Sequence, residues 1–163
     1  MANGLLGMKL RGFTLIELVV TVAIISILAT GILPVAKLVA QREKEKELRA
    51  SLRNMREAID AYKKAFDDKR IRRSPGQSGY PPSLAALVGG VPDEKDPEKL
   101  KLRFLRKIPA DPMSLDPNIP AEQTWGLRSY ASEANEAQAG DDVYDVYSLS
   151  MRKGLNGRAY SAW

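Results

Sequence analysis

Side chains able to do chemistry are few and unevenly placed in this 163-residue chain. It has no cysteine and no histidine, so thiol nucleophiles, disulfides and imidazole acid–base chemistry are all missing. One carboxylate stands apart: Glu17 is the sole ionisable group between Phe13 and Ala36. An acid at the start of so apolar a run is costly and calls for a partner. Just before it, Gly12 and Phe13 form a junction at the end of a leader that carries Lys9 and Arg11 and no acid. The pattern suggests processing at Gly12, retention in a membrane and polymerisation. The chain is the object of that chemistry and does not look like an enzyme.

The element that must present these residues is a helix of membrane length. Phe13–Ala36 is about 24 residues, roughly 36 Å at 1.5 Å per residue, against a hydrocarbon core of about 30 Å. Soluble core helices rarely run so long with one charge. A cleavable secretory signal has an apolar region of about 7–15 residues ending at a small-residue site. Here Ala29-Thr30-Gly31 is followed by more apolar residues, so the segment is expected to stay in the working protein. Proline removes a helical hydrogen bond and crowds the preceding turn, which predicts a kink or local unwinding near Gly31 and Pro34.

Beyond Ala36 the chain becomes highly charged, yet Leu48, Leu52, Met55, Ile59, Tyr62 and Phe66 recur at steps of four and three. That spacing predicts an amphipathic helix continuous with the first and packed on the chain's own globular domain. Nine of the ten prolines fall between Pro75 and Pro120, marking loops with short helical pieces. One such piece is Ser83–Val88, capped by Ser83 and ended by Gly89-Gly90; another begins at Asp96-Pro97. Trp125–Ala131 and Val143–Leu149 read as antiparallel strands, and Asn156-Gly157 as a turn into a last strand or tail, Arg158–Trp163. The fold class is α+β: a long N-terminal helix, part transmembrane and part amphipathic, on a small loop-rich antiparallel sheet. The domain plan is a leader over 1–12, a membrane helix over 13–36, an amphipathic helix over 37–73 and a globular domain over 74–163.

Formal net charge is +5. Loss of the leader would leave about +3, too little to argue for nucleic acid. The cluster Lys69–Arg73 reads as a solvated helix end, where cations suit the dipole. Tyr144, Tyr147, Tyr160 and Trp163 are expected to pack the sheet or line subunit contacts.

Gly12-Phe13-Thr14-Leu15-Ile16-Glu17 resembles the class III signal motif of type IV pilins and type II secretion pseudopilins. Downstream, Gly79–Leu84, Ile108–Pro112, Trp125–Tyr130, Tyr144–Leu149 and the Gly154–Gly157 ending with Trp163 are similar to the major, G-type pseudopilin. The resemblance implies a pilin-like fold and a prepilin peptidase that cuts between Gly12 and Phe13 and methylates the new Phe13 amine. A side chain at Gly12 would crowd that cut. It implies that Glu17 pairs with the Phe13 amine of a neighbouring subunit. A bend at Gly31 and Pro34 would ease transfer from bilayer to filament, although Ser26 stands where many members have glycine.

The partners implied are further copies in a helical filament, minor pseudopilins, the prepilin peptidase, and indirectly an inner-membrane platform protein and a secretion ATPase. The implied place is the inner membrane, single-pass, with the C-terminal domain in the periplasm. G-type pseudopilins commonly carry an acidic calcium loop. This chain has no acid after Asp145, so no metal or other cofactor is expected. Ser148, Ser150 and Asn156 with Asp141, Asp142 or Asp145 are the donors a calcium site would have to use. The alternative reading is a type IV pilin forming a surface fibre for adhesion, motility or DNA uptake.

Overall fold

The apolar stripe dictates the architecture. A computed structural model describes residues 12–163 except Ala134, with backbone alone at residues 30–33. The leader residues 1–11, with Lys9 and Arg11, lie outside the described residues. Helix α1 runs Leu15–Asp67 and is followed by α2 (Leu84–Gly89), β1 (Val91–Pro92), β2 (Lys101–Leu102), β3 (Trp125–Arg128) and β4 (Asp145–Ser148). The chain divides into two compact units after Gln41. The α-helical assignment of α1 continues through Gly31 and Pro34, so no unwound turn breaks the helix there.

In the unit that begins at Arg42, all six stripe residues from Leu48 to Phe66 are buried. They form one cluster with Leu84, Leu87, Leu105, Met113, Trp125, Val143, Val146 and Tyr160. The helix therefore packs on its own domain, as the period predicts. Burial of each such side chain contributes about 1.5–3 kcal/mol, which outweighs the modest propensity of a highly charged helix.

Lys69, Arg72 and Arg73 are exposed, as a solvated helix end requires, and the C-terminus of α1 also uses the basic cluster structurally. Lys69 takes a left-handed conformation (φ 59°), and the Arg70 amide donates back to the Ala65 carbonyl at 2.9 Å. The Arg73 guanidinium donates to the free carbonyls of Phe66 and Asp67 and lies over the Phe66 ring. Arg70 binds Asp93 at 2.5 Å, and the Glu94 amide donates to the Arg70 carbonyl at 2.7 Å. These contacts tie the helix end to β1.

Two short pieces differ from expectation. Ser83 sits at the N-cap of α2 in extended conformation, but its hydroxyl makes no capping bond. No helix begins at Asp96. Its carboxylate instead accepts from the Glu98 and Leu100 amides, the local bonding by which aspartate competes with helix. The turn it shapes joins β1 to β2, which pair antiparallel, Val91 opposite Leu102. That hairpin was not legible in a run of charged residues. Gly90 ends α2 with φ 74°, and a Cβ there would meet the Leu102 carbonyl oxygen at 2.7 Å, so glycine is required.

Strands β3 and β4 form a second antiparallel pair, Trp125 opposite Ser148 and Arg128 opposite Asp145. Both are shorter than the predicted runs. At Gly126 a Cβ would lie 2.3 Å from the ring of Tyr147, its cross-strand partner. The Asn156-Gly157 turn is present, but Arg158–Trp163 forms a bridge between Lys153 and Ala159, then a 3₁₀ turn at Tyr160–Ala162. Buried Asp111 organises the proline-rich loop. It accepts from the Ser148 hydroxyl at 2.6 Å and the Met113 amide at 2.7 Å, while its own amide donates to Thr124.

Candidate processing and assembly site

The site is built around the first turn of α1. Gly12, Phe13 and Thr14 precede the helix, and Leu15 opens it. Thr14 is the N-cap: its Oγ1 accepts from the Glu17 amide at 3.3 Å, and its carbonyl accepts from the Leu18 amide at 3.2 Å. Thr14-Leu15-Ile16-Glu17 is thus the Thr-x-x-Glu pattern of a capping box, with the threonine half of the pair formed. Thr14 is absent from the site read from sequence, although that four-residue signal is visible there. The acid also lies in the first turn, where a negative charge suits the helix dipole.

Every described side chain from Gly12 to Ala29 is exposed. Phe13 is 80% exposed and Ile16 68%, in a stretch where exposure of aliphatic carbon to water would be heavily penalised. The two hydroxyls later in this stretch are satisfied within the helix, Thr21 on the Leu18 carbonyl and Ser26 on that of Val22. Among the described residues α1 is the one helix long and apolar enough to cross a membrane. Backbone groups bonded within the helix and apolar side chains all round are what lipid demands.

Among the described residues, a Cβ built on Gly12 meets nothing within 4 Å. Phe13 adjoins it, and Glu17 lies one helical turn beyond. Gly31 and Pro34 sit farther along α1, about four and five turns from Glu17, and take no part in this N-terminal geometry.

Residues 7–33 match the prokaryotic N-terminal methylation motif. The chain therefore carries a prepilin-type, type IV pilin-like motif leading into a long apolar helix. The motif takes in Gly12, Phe13, Glu17 and Gly31 and stops one residue before Pro34. Proteins with this motif are filament-type structural subunits. No curated protein and no solved structure matches the chain.

At the other end of the chain, three of the donors a calcium loop would use have partners within the fold. Asp145 pairs with Arg56 at 2.7 Å, Asp142 accepts from the Tyr130 amide and the Ser78 hydroxyl, and Ser148 donates to Asp111. Among the described residues no three acidic side chains gather as a metal site. The C-terminal turn is instead held by Glu45 of α1, which is buried. Its Oε1 accepts from the Leu155 amide at 2.8 Å and the Tyr160 hydroxyl at 3.0 Å. Glu45 was not singled out from sequence, because its partners lie more than a hundred residues away.

Proposed function

We propose that this chain is the major structural subunit of a type II secretion pseudopilus. It polymerises through its N-terminal helix into a periplasmic filament that drives export of folded proteins across the outer membrane. The observation that carries the reading is the prepilin-type motif, capped by Thr14 and continued by a helix whose described apolar side chains are all exposed.

In this reading a prepilin peptidase hydrolyses the Gly12–Phe13 peptide bond, leaving a carboxylate on Gly12 and an amine on Phe13 that is then methylated. The absence of any described neighbour within 4 Å of a Cβ at Gly12 supports this, since the described fold gives no reason for glycine there. A positive Phe13 amine and a negative Glu17 are each costly in lipid. For the acid the cost is on the order of 2.5–3.5 kcal/mol at mid-bilayer and less near the edge. Pairing Glu17 with the amine of a neighbour offsets both charges in the assembly and sets register between subunits. The apolar helix holds unassembled subunits in the inner membrane, with the C-terminal domain in the periplasm. Platform protein, ATPase and minor pseudopilins would act on it there, and the subunit itself would hydrolyse nothing.

The blocks from Gly79 to Trp163 favour secretion over a surface fibre. A strain lacking the chain is expected to lose exoprotein export and keep surface pili. Loss of pili with export intact would establish instead a type IV pilin serving adhesion, motility or DNA uptake.

A further inference from the structure

Helix α1 carries a second stripe in its Arg42–Asp67 part. Arg49, Arg53 and Arg56 follow one another at steps of four and three, each one residue on from Leu48, Leu52 and Met55 of the core. With Arg158 and Trp163 they line an open cleft of about 500 Å³, which Glu57 and Asp60 also border. Two of the four guanidinium groups are engaged. Arg56 binds Asp145 and the carbonyls of Val146 and Trp163. Arg49 lies 3.6 Å from Glu45 and stacks over the Trp163 ring at 4.3 Å. Arg53 and Arg158 form no ion pair among the described residues. The indole Nε1–H of Trp163 is buried and has no acceptor among the described residues, but it is closed to the cleft's solvent. Two unpaired guanidinium groups on an open cleft call for oxyanion oxygens.

The chain itself supplies groups of complementary charge. Between Arg128 and Arg152 it has five acidic residues and no base. Asp142 and Asp145 are used within the fold, whereas Glu136 and Asp141 are exposed. Glu136 accepts from the Gln138 side chain, and Asp141 forms no ion pair among the described residues. Asp141 borders a separate hollow with Tyr62 and Phe66, nine to thirteen residues beyond Arg53 on α1. That is roughly 14–20 Å along the helix. That length holds Asp141 away from the cleft within one copy, so a contact between them would have to join two copies. Unlike surfaces that meet head to tail form a heterologous contact, and such contacts build open helical filaments when the rotation does not close.

We propose that the Arg53–Arg158 cleft binds the Glu136 and Asp141 carboxylates of a second copy, as an axial contact of the filament. The inference rests on the filament reading above. Because the chain has no cysteine, Arg158→Cys and Glu136→Cys can be placed singly and together in the full-length protein. A short bis-maleimide is then applied to cells that assemble the filament. The double variant should give a ladder of dimers, trimers and larger species. Co-expressed single variants should give dimers only. Adding Arg53→Glu to the double variant should weaken the ladder several-fold, with thermal melts unchanged because all three positions are exposed.

Monomers alone from the double variant, with filaments still sedimenting, would overturn the contact and leave the filament reading standing. That is also the result if a lipid phosphate or a soluble anion fills the cleft. If the unmodified chain yields no sedimentable filament, the filament reading falls and the contact falls with it.

Discussion

Gly12, Glu17 and Asp93 each isolate one physical term. No described residue crowds a Cβ at Gly12, so Gly12→Val should leave the melt of the globular unit unchanged while the precursor stays uncut. Mass spectrometry that finds mature Phe13 in this variant would refute the processing role. Glu17→Gln keeps size and loses charge. It should insert and be cleaved, yet sedimented filament should fall about tenfold for every 1.4 kcal/mol of pairing lost. Normal filament yield would remove the pairing argument. The Arg70 guanidinium holds the Asp93 carboxyl below the usual carboxylate range. A lowered folded pKa means stabilisation that is present above the ordinary value near about 4 and is lost as pH falls through the lowered one. Urea midpoints at pH 6 and below pH 3 should therefore diverge less in Asp93→Asn than in the parent. An equal drop in both proteins would show that the pair does not govern acid sensitivity.

At the scale of elements, α1 performs two tasks that its pattern separates cleanly. Up to Ala29 its described side chains are exposed, and from Leu48 to Phe66 one stripe is buried. Truncating fully buried Met55 to alanine should cost about 2–5 kcal/mol of stability by urea unfolding. Val19→Ala, on the exposed apolar stretch, should leave that transition in place. A Met55→Ala shift no larger than that of Val19→Ala would contradict the packing of the stripe. This stripe was legible because helical period survives any tertiary context. The Asp96 turn, the β1–β2 hairpin and the bridge at Lys153 were not, since the first turns on which amides one carboxylate accepts and the others on strand pairs too short to carry a period. The two strands of the main pair were placed correctly but overextended, because pairing stops where the Arg128 and Asp145 register ends.

For the whole molecule, the C-terminal turn is stapled by a carboxylate from α1. Glu45 gathers the Leu155 amide and the Tyr160 hydroxyl, and the acids nearest that turn are spent on Arg56 and on loop contacts. A chelator is accordingly expected to leave the melting temperature of the full chain in detergent unchanged. A large fall would reveal a bound cation and overturn the metal-free reading. Glu45→Gln, which keeps an acceptor but not the charge, should lower stability less than Glu45→Ala.

The sequence by itself determined the prepilin-type motif, the acid in the apolar run, the course of α1 and the buried stripe. All of these rest on neighbours within one or two helical turns, where spacing and side-chain type are sufficient causes. Tertiary structure decided what spacing cannot encode. It set Glu45 against Tyr160 and brought Arg158 beside Arg53. Those pairings join residues that are distant in the chain, and only a folded backbone brings their charges and donors within reach.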